Sequence, residues 1–366
     1  MQSQLQIPID KKIKAVYLFV VLHALQMGVG VVGLPRVVYE EAKQDSWVSV
    51  LIAGIALHIV IACIVFILNS YKNTDIHGIL AQIFGQKISK VLSMVFIFYF
   101  YLMFISILLN YIEFVQVFIF PKLSTGFIAS LLIFLVIYAV YGGVRAAVGS
   151  SIVFFFTTIW MVLLLIEPIF LMRAEYFLPV LDNSPQDIFS GALKTSYSIL
   201  GFELIWVLYP FIQDKKNVAK YSHFAMLFTI ILVMYVTVVA IGYFSPKHLE
   251  MKVWPLFTMF KIITLPIFER FDVISVALWL MVVIPNLILL GWMISYSCKR
   301  VTGLKQKHCL HVFMLIALIV ATFVDKREYV NILTDYVGQA GIFFGLTLPF
   351  LLLPFAIYKR VKGNKS

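Results

Sequence analysis

The chain has 366 residues, 62% of them hydrophobic and only 13% charged, with a mean hydropathy of +0.97 and a formal net charge of +11. So few polar residues cannot cover a water-soluble domain, so the composition excludes one and implies an integral membrane protein. The basic excess does not call for nucleic acid: it collects between apolar runs on one side of the chain's path, at Lys11, Lys12 and Lys14, Lys215 and Lys216, Lys299 to Lys307, and Lys359 to Lys365, and this positive-inside bias predicts that both termini face the cytoplasm.

An apolar run of about 20 residues spans a bilayer. Ten are predicted, over 14–40, 46–71, 91–120, 125–143, 146–172, 189–212, 221–244, 272–298, 308–324 and 337–358, giving an all-α membrane protein of one transmembrane domain, 1–366. The first run is too long for a cleavable signal and is kept as span 1. Its middle, QMGVGVVGLPR from Gln26 to Arg36, is poor helix material. Glycine costs a helix interior about 1 kcal/mol and proline about 3 kcal/mol. In hydrocarbon an unwound backbone needs partners for its NH and CO groups, and a polar ligand in a cavity can supply them. Met27, Gly28, Val29 and Gly30 are therefore candidate ligand-binding residues, with bare glycine amides and the positive end of the following half-helix suited to a carboxylate. The alternative is that the glycines are close-packing contacts between helices. Arg36 either forms an outer gate pair with an acid such as Glu113 or Glu269, or snorkels to the headgroups. His23 and His58 are expected to make interhelical hydrogen bonds.

Span 3 offers Tyr99 and Tyr101 to a pocket wall, although tyrosines in so aromatic a chain mostly serve packing, and carries Glu113 near its outer end as an interfacial anchor. An acid in mid-span costs about 2.5 to 3.5 kcal/mol and needs a partner or water. Glu167 in span 5 precedes Pro168, where a local kink network is expected. Span 6, LKTSYSILGFELIWVLYPFI from Leu193 to Ile212, has its own defect at Leu200, Gly201, Phe202 and Glu203, with Gly201 lying 173 residues after Gly28. Five spans in each half force opposite orientations, an inverted repeat of about 14–172 and 189–358, and matching interrupted segments in such halves point to a midplane binding site. Glu203 either holds the unwound backbone, binds a ligand amine, is neutralised by desolvation, or caps the second half-helix.

After span 7, the loop from Ser245 to Arg270 is expected to fold over the outer mouth. Trp254-Pro255 and Pro266 interrupt it, and Leu256, Phe257, Met259 and Phe260 give it an apolar face. Span 8 carries Pro285 and Asn286, the latter a candidate ligand contact. His308-Cys309-Leu310-His311 reads as interfacial residues flanking span 9 rather than as a metal cluster, so neither metal nor cofactor is expected. Cys63, Cys298 and Cys309 offer no disulfide framework.

MGVGVVGLPR in span 1 resembles the corresponding motif of the endospore germination permease family, the B subunits of spore germinant receptors within the amino acid/polyamine/organocation transporter superfamily. Ala174-Glu175-Tyr176-Phe177-Leu178-Pro179, Gly201-Phe202-Glu203, Tyr209-Pro210-Phe211 and Glu269-Arg270-Phe271-Asp272 follow in the family's order, so the resemblance runs end to end. It implies a LeuT-like fold with broken helices 1 and 6 and a non-enzymatic role as a sensor of a small-molecule germinant: an amino acid, sugar or nucleoside. It also implies a place in the spore inner membrane, beside a membrane A subunit and a lipoprotein C subunit. The competing function is an ion-coupled amino acid transporter. An intramembrane hydrolase would need a nucleophile with its base, or metal ligands, at membrane depth, and no such constellation is visible.

Overall fold

Apolar sequence in a bilayer has to satisfy its backbone internally, and a helix is the local way to do so. The computed structural model describes residues 4–263, 271–324 and 326–363, and among these the chain is helical, with a lone β-bridge between Ile13 and Ile212. The first expected span is two helices, α1 (Tyr17–Gln26) and α2 (Gly30–Ala42), followed by α3 (Ser46–Tyr71). Next come α4 (Ile76–Phe118), α5 (Thr125–Tyr141) and α6 (Gly143–Thr158), which passes through a 3-10 stretch into α7 (Ile166–Phe170). The sixth expected span is again divided, into α8 (Pro185–Ser198) and a half built from two 3-10 turns around α9 (Ile205–Leu208). Then follow α10 (Val218–Tyr243), the short α11 (Pro246–Met251) and α12 (Pro255–Met259), α13 (Phe271–Thr302) and α14 (Gln306–Phe323). The chain finishes with α15 (Arg327–Gly341), a π-helical turn (Ile342–Thr347) and α16 (Leu348–Gly363).

Among the described residues, seven segments are long and apolar enough to cross a membrane, where the sequence reading expects ten spans. The difference has a structural cause. The breaks leave the first and sixth expected spans in pieces such as Tyr17–Gln26 and Phe202–Phe211, and the fourth, Thr125–Tyr141, has only 17 residues. The third is also reshaped. Gly85 takes φ 75°, ψ 173° inside α4, so the helix bends there and residues 76–84 form a separate strut before the long apolar part. At its start Asp75 accepts a hydrogen bond from Gly78 N at 2.8 Å, an N-cap that fixes where the strut begins.

Two groups of helices meet at the centre. In one, α2 packs on α8, α8 on α3, α3 on α10 and α10 on α1; in the other, α13 packs on α4, α5, α6 and α14. Between the groups α1 touches α6 and α13, while α15 lies on α4 and α16 on α3. The fully buried rings of Phe96, Phe100, Phe104, Phe202, Trp206 and Tyr209 gather in this shared core, and Phe134, Tyr138 and Phe156 project outward from α5 and α6. An outward apolar face of this kind is what a lipid-facing helix needs.

Candidate functional site

The two interrupted helices abut at their breaks. A β-carbon built on Gly30 would lie 2.7 Å from the carbonyl oxygen of Ser198, and one on Gly201 would lie 2.8 Å and 2.9 Å from Leu25 Cγ and O. Gly201 also takes φ 121°, ψ −20°, which only glycine adopts without strain. Glycine at 30 and 201 therefore lets two unwound backbones approach each other where any side chain would hold them apart.

Side chains then splice the two breaks. Glu203, with no exposed surface, accepts from Gly201 N at 2.6 Å through one carboxylate oxygen and from the Tyr99 hydroxyl at 3.1 Å through the other. The contact needed for one of the roles the sequence leaves open, holding the unwound backbone, is present. Gln26, the last residue of α1, donates to Ile199 O at 3.3 Å. Its side-chain oxygen accepts from the Thr229 hydroxyl at 3.0 Å, and that hydroxyl lies 2.9 Å from His23 Nδ1. This Gln26, Thr229 and His23 cluster joins α1, α10 and the break after α8. The sequence reading passes over Gln26, although an amide at the foot of an apolar half-helix is itself a signal that a hydrogen bond must be found there.

The wall opposite Gly28 is Asn286. It is fully buried, and among the described residues neither its amide nitrogen nor its oxygen has a hydrogen-bond partner. A β-carbon on Gly28 would stand 3.1 Å from Asn286 Nδ2, so the bare glycine faces the unsatisfied amide directly. A buried carboxamide without partners costs free energy of order 1–3 kcal/mol, and such a cost is retained where something else completes the hydrogen bonds. On the other side of the break, a cavity of about 70 Å³ is lined by His23, Met27, Met161, Leu256, Phe260 and Trp279. The Trp279 indole nitrogen is likewise buried and without a partner among the described residues. This volume is far below the several hundred Å³ of a small-molecule pocket, and Gly28 and Asn286 are not in its lining.

The remaining candidates divide. Leu200 is buried against Gly341 and Gly345 of the last span, and Phe202 is fully enclosed. Tyr101 turns away from the breaks: its hydroxyl donates to Phe313 O at 2.8 Å, facing α14. Val29 is partly buried. Arg36 pairs with Glu40 at 2.7 Å, one turn on, and Glu113 pairs with Arg327 at 3.3 Å, so these two do not form the gate pair offered by the sequence; Glu269, the other offered partner, lies outside the described residues, as do Pro266 and Arg270. Glu167 is exposed. His58 meets His223 with 2.8 Å between their Nδ1 atoms, tying α3 to α10. Among the described residues no three His, Cys, Asp or Glu side chains come together as a metal site.

Two further features bear on the site. The π-helical turn brings Gly345 against Glu203, where a β-carbon would lie 2.8 Å from Oε1, and Phe344 stacks on Tyr99 with centroids 4.6 Å apart. Above the breaks, Leu256, Phe257, Met259 and Phe260 are buried, Trp254 packs on Phe114 at 5.1 Å, and Lys43 pairs with Glu250 at 2.9 Å. The segment 246–263 thus lies as a cover over α2 and the end of α4.

A helical membrane protein with two interrupted helices meeting at its centre has the LeuT-like transporter fold, and the solved structures it resembles are of that kind. A manganese transporter of Eremococcus coleocola superposes with a TM-score of 0.56 at 12% identity, over 93% of this chain and 78% of that one. Mhp1, a nucleobase-cation-symport-1 family transporter held closed with bromovinylhydantoin bound, superposes with a TM-score of 0.53 at 11% identity, over 94% and 80%. The model of the spore permease family, described as spore germination protein, matches residues 12–330, and the chain belongs to that family. Spore germination protein GerQB of Bacillus cereus is 34% identical over 95% of this chain and 97% of its own. Spore germination protein YndE of Bacillus subtilis (strain 168) is 22% identical over 97% and 98%.

Proposed function

We propose that this protein is the nutrient-sensing membrane subunit of a spore germinant receptor, binding an amino acid, sugar or nucleoside at the midplane between the broken helices and the third and eighth spans. The observation that carries the reading is the fully buried Asn286 amide, without a hydrogen-bond partner among the described residues, facing bare Gly28 at the unwound turn. Such an amide beside an unwound backbone suits a small polar ligand. Family membership and relatives named as spore germination proteins support the physiological setting. In this proposal the chain crosses the spore inner membrane ten times as an inverted repeat with both ends in the cytoplasm, and works beside an A subunit and a lipoprotein C subunit. In this proposal, ligand entry to the fully buried Asn286 requires the cover or the half-helices to move.

Thermal unfolding of the purified protein against a panel of amino acids, sugars and nucleosides tests the reading, because a ligand that binds only the folded state raises the midpoint with concentration. A compound that stabilises the parent protein and leaves Asn286→Leu unmoved is expected. A compound that stabilises both equally would remove Asn286 from the site. The transporter-like fold keeps one rival reading alive, ion-coupled uptake. Accumulation of the same compound in proteoliposomes under an ion gradient would select it.

A further inference from the structure

At the end of the bundle that carries the N-terminus, a cavity of about 670 Å³ opens between the N-terminal segment, the turn joining α5 to α6, and the last turns of α13. This volume is within the range of small-molecule sites. Its walls carry four cations, Lys11, Arg145, Lys299 and Arg300, against one acid, Asp10. Two cations have structural duties: Arg145 donates to the carbonyls of Ile9 and Lys12, and Arg300 pairs with Asp75 at 3.1 Å. Lys11 and Lys299 have no ion-pair partner among the described residues.

The first turn of α6 opens into the same cavity. Gly142, Gly143 and Val144 line it, Gly143 takes φ 73°, and among the described residues nothing lies within 4 Å of its β-carbon position and no side chain caps the helix. The first amides of a helix lack intrahelical acceptors and sit at its positive end, which is the geometry of an anion site. An independent feature points the same way. Trp292 lines the cavity and is only 2% exposed, and its indole N–H has no hydrogen-bond partner among the described residues. The ring is held by stacking on Tyr296 at 5.3 Å and an edge contact with Phe211 at 5.2 Å.

We propose that this cavity binds a phosphate-bearing anion, its oxygens on the first-turn amides of α6, the Lys11 and Lys299 ammonium groups and the Trp292 indole N–H. The aromatic wall leaves room for an organic remainder. The phosphate belongs either to a soluble molecule or to a phospholipid headgroup. The proposal stands apart from the midplane site and does not depend on it.

The test is thermal unfolding of the full chain in detergent with potassium phosphate, with potassium chloride at matched ionic strength, and with dihexanoyl phosphatidic acid. A saturable rise in midpoint over chloride is expected. Stabilisation by inorganic phosphate identifies a soluble anion, and stabilisation by the short-chain lipid alone identifies a headgroup; each supports the site. The apparent affinity is expected to fall about tenfold in Lys299→Gln and in Lys11→Gln, since each removes a charge-assisted hydrogen bond. Asn286→Leu is expected to retain it. No saturable shift over chloride, or a shift that both lysine variants keep, overturns the proposal. Should one lysine variant melt early without any anion, the other, together with phosphate-dependent quenching of indole fluorescence, decides.

Discussion

A β-carbon added at Gly28 meets a side-chain amide at 3.1 Å that can swing aside, whereas one added at Gly30 meets a backbone carbonyl at 2.7 Å that cannot. The packing explanation of the glycine motif therefore holds at Gly30, while Gly28 leaves room for the proposed binding role. Gly28→Ala is expected to leave protein abundance near normal while abolishing ligand stabilisation, and Gly30→Ala to lower abundance; immunoblots and melting curves from the same strains check both. Gly201→Ala combines the left-handed penalty of roughly 1–2 kcal/mol with overpacking of roughly 1–3 kcal/mol, so it should be the most damaging of the three. Outside the spans, Asp214 accepts from Ala15 N at 2.6 Å and fastens the N-terminal segment. Burial pushes its carboxyl up, but hydrogen bonds from Ala15 and Asn217 and the charge of Lys14 outweigh this and hold it below the usual value. A depressed carboxylate contributes stability above its unfolded pKa, about 3.9, and loses it as pH falls through the lower folded value. Between about pH 5 and pH 3, Asp214→Asn should lose less stability than the parent does, as followed by protease nicking of the first 14 residues.

At the scale of elements, the cover formed by 246–263 is held by burial more than by charge. Its Lys43 to Glu250 ion pair is solvent-exposed, and such pairs contribute about 0–1 kcal/mol. Trp254, by contrast, sits between Phe114, Phe118 and the guanidinium of Arg327, which lies 4.8 Å from its ring. Trp254→Ala should therefore speed proteolysis of the cover severalfold while Lys43→Ala barely changes it, and equal rates would show that the cover is not anchored at the tryptophan. The apolar face of this segment was readable in the sequence, because Leu256, Phe257, Met259 and Phe260 stand in a loop otherwise too hydrophobic for water. The breaks at Gly28 and Gly201 were readable too, since glycine and proline punctuate an apolar run in both halves. The partners of those breaks were not. The union of Gln26 with Ile199, Thr229 with His23, and Glu203 with Tyr99 are contacts across 100 residues or more, and no local pattern encodes them. The π-helical turn was equally hidden, because its sequence IFFGLT reads as ordinary apolar helix.

Across the whole molecule, the N-terminal end is bound together by a buried ion pair. Asp75 at the start of the α4 strut and Arg300 at the end of α13 lie 3.1 Å apart, both nearly excluded from solvent, with the Tyr296 hydroxyl at 3.4 Å from the same carboxylate oxygen. Removing one member of such a pair leaves the other uncompensated, at a cost of about 3–5 kcal/mol. Asp75→Asn keeps the side-chain oxygen that caps α4 but replaces the oxygen that accepts from Arg300 and Tyr296 with an NH2 donor, so a large fall in stability would assign the loss to the ion pair and its hydrogen bonds; a fall of about 1 kcal/mol or less would show that Arg300 finds other partners. The last span shows a different kind of connection. Its π-helical turn lodges one residue more than an α-helical turn would, and each extra residue rotates everything beyond it by about 100°. That offset is what lets one continuous rod present α15 to α4 and α16 to α3. The span therefore behaves like a shaft with a keyed joint: a one-residue deletion within 342–347 would heal the helix locally yet turn the C-terminal half away from its partner, while the same deletion's apolar composition would give no warning of it.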